Sequence, residues 1–126
     1  MRSKVTRRHP FQWLLESVEA EPSYFQKPMF GCQAVYVFGK LVLVLAADKE
    51  EPWNGLLVCT SREFHSVLIG EYPGLQPHPV LGKWLYLAQA HDSFEETAQQ
   101  LIQQIVNNDP RIGVEPGVRR RKRSSR

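Results

Sequence analysis

Apolar residues recur at Phe11, Leu14, Leu15 and Val18, the i, i+3, i+4, i+7 spacing that lines one face of an amphipathic helix. Pro10 suits a first helical position and Pro22 lies beyond the stripe, so the pattern predicts a helix over 10–20. The period then changes. Residues 33–38 and 41–47 are rich in β-branched and aromatic side chains and are separated by Gly39-Lys40, which predicts a β-hairpin. A third strand is expected over 56–60 after a turn at Asn54-Gly55, followed by a short helix that Ser61 caps and that carries Phe64, Val67 and Leu68. The segment 71–79 holds three prolines and a glycine, which predicts an irregular folded-back loop with Tyr72, Pro73, Leu75, Pro77 and Pro79 exposed. Residues 83–88 read as a fourth strand. Ser93 and Glu96 have the spacing of a capping box, and Phe94, Ala98, Leu101, Ile102, Ile105 and Val106 continue at helical period, predicting a last helix over 94–107.

The order α-β-β-β-α-β-α predicts a two-layer α+β fold, a largely antiparallel sheet with its helices on one side. Residues 41–47 are apolar at every position, whereas a sheet half-open to water alternates. The second face must therefore be covered, by the Pro-rich loop, by a terminal helix or by a second copy of the chain in a homodimer. Three regions follow: a basic arm over 1–9, an α+β domain over 10–113, and a linker into a basic tail over 114–126 that is expected to be disordered.

A chain of 126 residues, 42% of them hydrophobic and 23% charged, affords one core. Its longest apolar run falls far short of the roughly 20 residues a bilayer requires. The basic N-terminus leads into no uninterrupted apolar segment, so no membrane span and a cytoplasmic location are expected. Charge changes the picture more than composition does. The formal net charge is +3, yet residues 9–116 carry six basic groups against thirteen acidic ones, a formal −7. Arg2, Lys4, Arg7 and Arg8 stand at one end, and Arg119, Arg120, Arg121, Lys122, Arg123 and Arg126 at the other.

Candidate chemistry is sparse. Cys32 and Cys59 lie in apolar, strand-like contexts without CxxC spacing and read as buried small hydrophobes. The histidines are never paired at i, i+3 or i, i+4, so no metal or cofactor is expected. Cys59 and His65 lack an identifiable third partner. Asp48, Glu50 and Glu51 lack the oxygen-ligand spacing of a cation loop, and His91-Asp92-Ser93 is better explained as a strand-to-helix turn than as a triad. A non-enzymatic protein is expected.

The segment Lys27-Pro28-Met29-Phe30-Gly31-Cys32, continuing through Tyr36 to Gly39-Lys40, resembles the Met-Phe-Gly-Gly…Tyr…Gly-Lys hairpin that opens TfoX N-terminal domains, relatives of the MmcQ/YjbR-like proteins. Cys32 replaces the second glycine. Trp84 in a downstream strand and the closing helix also look like that group, so the resemblance spans roughly 10–113. It implies a fold similar to secretion chaperones, in proteins often labelled DNA-binding, and it carries no agreed catalytic residues. The basic tail stands where TfoX-like regulators carry a second domain. Independently of kinship, Gly31 and Gly39 suit positive φ, while Met29, Phe30 and Tyr36 are expected to pack under helices.

The functional expectation rests on the tail. Five consecutive cations at Arg119, Arg120, Arg121, Lys122 and Arg123, with Arg126 beyond, repel one another unless an anionic partner relieves them, and guanidinium forks suit phosphate. Nonspecific DNA or RNA binding is the first reading; a solubilising extension and an anionic membrane or acidic protein surface are the others. The acidic body should repel phosphate unless its six cations cluster. The alternative is a homodimeric protein-interaction or chaperone-like module with a merely solubilising tail.

Overall fold

The computed structural model describes residues 10–29, 31–48 and 50–116. Six antiparallel strands form one sheet: β1 (Phe25–Met29), β2 (Cys32–Val37), β3 (Lys40–Ala47), β4 (Asn54–Val58), β5 (Leu75–Pro77) and β6 (Leu85–Ala88), in the spatial order β1-β2-β3-β4-β6-β5. The helices are α1 (Glu16–Glu19), α2 (His65–Glu71) and α3 (Phe94–Val106). The fold is α+β, as its sequence pattern predicts. Among the described residues, no helix is long and apolar enough to cross a membrane.

The first helical stripe holds, but not as one regular helix. A 3-10 turn over Gln12–Leu15 leads into the single α-helical turn of α1, and neither start has a side-chain cap. Phe11, Leu14, Leu15 and Val18 are nonetheless all buried. With no capped start, burial of that apolar stripe is what fixes the segment. The same correction applies to α3. Ser93 caps nothing with its side chain; its carbonyl accepts the Thr97 N–H at 2.9 Å, and the His91 Nδ1 accepts the Ser93 N–H at 3.0 Å. Ser61 likewise makes no side-chain cap before the 3-10 turn Arg62–Phe64 that opens α2.

The hairpin of β2 and β3 turns at Phe38 and Gly39, one residue earlier than the glycine-lysine pair suggests. Both have positive φ, 55° and 74°, as a type I′ turn demands. Opposite Val35 and Tyr36 the register skips a residue on β3, from Leu43 to Leu41. This bulge leaves Val42 on the same side as Leu43, while Leu41 points to the other side with Val44 and Ala46.

One face of the sheet packs on α1 and α3 through Leu43, Leu45, Leu56, Leu87, Leu101 and Ile105. The other face, built on Ala34, Leu41, Val44, Ala46, Leu57 and Cys59, is closed by Trp53, Leu81, Trp84 and Val114 of the chain itself. The loops on either side of β4 and β6 therefore supply the cover that the unalternated strand requires. The sheet does not need a second copy for this purpose.

Several other sequence-based expectations are corrected. Strand β1 is not anticipated by the pattern, because Pro28 interrupts it. Asn54 and Gly55 are strand residues, not a turn, and a Cβ on Gly55 would stand 2.1 Å from the Leu87 carbonyl oxygen. The Pro-rich segment contains edge strand β5, where Pro77 is tolerated at the end of an edge. Within it Tyr72 and Leu75 are buried, not exposed.

Candidate nucleic-acid interface

The predicted site residues Arg119, Arg120, Arg121, Lys122, Arg123 and Arg126 lie outside the described residues, as does the basic arm over 1–9. What the structure places is the root from which the tail leaves. After α3, the Asp109 carboxylate accepts the Arg111 backbone N–H at 2.9 Å and receives the Arg111 guanidinium through Nε at 3.1 Å and Nη2 at 2.8 Å. That fork holds the Asp109 carboxyl below its usual pKa range. The remaining nitrogen, Nη1, meets Glu71 at 3.0 Å. Thr60 Oγ1 donates to the Arg111 carbonyl at 2.6 Å, Gly113 N–H donates to the Cys59 carbonyl at 2.7 Å, and Val114 exchanges two 3.0 Å backbone bonds with Leu41. The tail thus starts from a fixed point beside β3.

Register locates the body cations. Leu43 of β3, Val58 of β4 and Leu85 of β6 stand in line, so Lys40, Arg62 and Lys83 flank the same end of the sheet, with Arg111 beside them at Thr60. The Lys40 side chain lies against Gly113, and the Arg62 guanidinium reaches Gly82. Lys83 Nζ sits 4.9 Å from the Trp84 ring centroid. At the opposite end, where β3 stops and β4 begins, stand Asp48, Glu50 and Glu51, and the same end of β6 leads to Asp92 and the first turn of α3 with Glu95 and Glu96. Four of the body's six cations therefore share the end from which the tail emerges, together with Glu63, Glu71, Asp109 and Glu115, of which Glu71 and Asp109 pair with Arg111.

The resemblance motif divides across the fold. Gly31 and Gly39 have φ of 77° and 74°. Met29 and Tyr36 pack on the helix-free face, not under the helices, and Phe30 lies outside the described residues. Tyr36 meets Phe25 at 5.5 Å between ring centroids, and Lys27 Nζ sits 5.5 Å from the Tyr36 centroid. The sequence pattern does not anticipate the strand that sets Phe25 and Lys27 beside Tyr36. The signal was present as the alternation Phe25, Lys27, Met29, masked by Pro28.

The candidate chemical groups have structural occupations. Cys32 and Cys59 are buried and form no disulfide, and burial pushes the Cys59 thiol well above its ordinary range. His65 Nε2 lies 3.1 Å from the Lys83 carbonyl. Tyr86 donates its hydroxyl to Glu51 at 2.7 Å and accepts the Asn54 N–H at 3.1 Å; burial first, and that carboxylate second, hold its phenol above the usual range. The His78 ring is buried between Trp53 and Tyr86, at 4.6 and 5.2 Å. Its Nδ1 accepts the Val80 and Leu81 N–H groups, so the proton sits on Nε2 and is donated to the Pro52 carbonyl at 2.8 Å. Among the described residues, no three His, Cys, Asp or Glu side chains stand where they can hold a metal ion. No family model, curated protein or solved structure matches the chain.

Proposed function

We propose that the chain is a non-enzymatic accessory protein of the cytoplasm that binds nucleic acid without sequence preference through its arginine-rich tail. The observation that carries the reading is segregation of charge: six cations in the last ten residues, against a formal −7 over residues 9–116. The position of the tail root is compatible with it, because Lys40, Arg62, Lys83 and Arg111 offset Glu63, Glu71, Asp109 and Glu115 at that end of the sheet, so the body opposes phosphate less there than at its acidic end. The acidic end lies at the far side of the sheet, where it opposes phosphate least. The resemblance to TfoX N-terminal domains is compatible with this reading.

The interaction-module alternative loses two of its supports, since the unalternated strand is covered by the chain's own loops and the Pro-rich segment buries Tyr72 and Leu75. Retention of a labelled nucleic acid at low salt, measured for the intact chain and for residues 1–116, tests the proposal. Truncation is expected to remove most retention and to leave the melting temperature unchanged, because every described contact is kept. Equal retention by both chains would reject it.

A further inference from the structure

We infer that His78 is an acid-operated latch on the cover of the helix-free sheet face: uptake of a second proton by its ring releases the loops that carry Trp53 and Leu81. One side chain ties both loops. Nε2 donates to the carbonyl of Pro52, the residue before Trp53, at 2.8 Å, while Nδ1 accepts the Val80 N–H at 3.1 Å and the Leu81 N–H at 2.9 Å. Backbone bonds from His78 N–H to the Trp84 carbonyl and from Trp84 N–H to the Leu81 carbonyl shape the loop around the ring. The His78 residue is 1% exposed, and its ring lies between those of Trp53 and Tyr86.

A neutral imidazole fits this seat because its bare nitrogen meets two donors. Protonation at Nδ1 turns that acceptor into a donor, and three N–H groups then face one another with no acceptor among them. In a buried site the groups left unpaired cost their full desolvation. Attraction of the cation to the Trp53 and Tyr86 rings does not replace the missing acceptor. Nor do the charged groups on the surrounding elements. Glu51 accepts the Tyr86 hydroxyl at 2.7 Å, the Arg62 guanidinium lies at Gly82, and Lys83 Nζ lies over the Trp84 ring. Asp48 and Glu50 stand on the loop of Trp53, bonded to it through their backbones. The Tyr86 phenol, held above its ordinary range, keeps its proton in acid.

Packing determines what the latch governs. Trp53 and Leu81 cover the apolar cluster that contains Val44, Ala46, Leu57 and Cys59. The main core, with α1 and α3, lies on the other side of the sheet, so the cover can open while the sheet stays folded. An open cover lets the ring take up the second proton; the closed cover has no place for it. Closure is therefore complete above the ordinary imidazole value near 6.5 and weakens as pH falls below it. The apolar face is offered in acid and withdrawn at neutral pH, independently of the tail.

Amide hydrogen exchange of the full chain, followed by NMR and corrected for the pH dependence of exchange itself, tests the latch. Protection of the Val80 and Leu81 amides should fall about tenfold between pH 7.5 and 5.5, one proton being taken up on opening. The Cys59 amide, bonded to the Val42 carbonyl within the sheet, should keep its protection. His78→Asn retains a side-chain acceptor for the two N–H groups but does not titrate, and should abolish the pH dependence. His91→Asn, which removes a different imidazole, should leave it as in the parent chain. Unchanged protection of Val80 and Leu81 in the parent, an equal fall at Cys59, or a fall in His78→Asn matching the parent's would each overturn the inference. Should His78→Asn not fold, the parent chain and His91→Asn still decide, since a transition lost with His91 would also overturn it.

Discussion

At single residues, the constraints of this fold are steric and polar more than chemical. Gly55 is required where β4 passes β6, because any Cβ would collide with the Leu87 carbonyl. Backbone cannot yield there as a flexible side chain can, so Gly55→Ala should cost about 3 kcal/mol in urea unfolding. His78 serves three backbone groups at once, and His78→Ala leaves two partly buried N–H donors and one carbonyl without their partner. The same measurement should show a loss of about 3 kcal/mol, against a small change for the half-exposed Val67→Ala. Neither position was legible in the sequence. Asn54-Gly55 has the composition of a turn, and a histidine among prolines reads as solvent-facing; only the approach of β6 and of the Pro52 loop reveals their roles.

Among the elements, legibility followed burial. The stripes of 11–18 and 94–106 and the hairpin are apolar enough that packing confirms them even where the expected caps fail. The two missed strands, β1 and β5, each contain a proline and lie at the sheet edges, where the missing N–H costs nothing. Strand β3 shows that an all-apolar run reports two covered faces without saying what covers the second.

The segment after α3 is tied by Asp109, whose depressed pKa defines a pH dependence. Its contribution is complete above the unfolded carboxyl value near 4 and is lost as pH falls through the lower folded value. Asp109→Asn should therefore cost about 2 kcal/mol at neutral pH, with the gap to the parent chain narrowing at pH 3. A gap that stays constant across that range would show that the ion pair is not the source.

For the molecule as a whole, the decisive property is the separation of charge between the cationic tail and the acidic body. The sequence reveals the cationic tail and acidic body plainly, since both are runs or sums of residue types. It does not reveal that Lys40, Arg62 and Lys83 converge on one end, because they come from three elements whose alignment depends on register. Nor does it reveal that the segment leading into the tail is bridged to Leu41 of β3. Both are products of pairing between residues distant in the chain. The salt dependence of affinity for a single-stranded oligonucleotide tests the central claim most directly. Six tail cations predict a log–log slope of about −4 for the intact chain and a much shallower slope for residues 1–116. Equal slopes for the two chains would contradict the account.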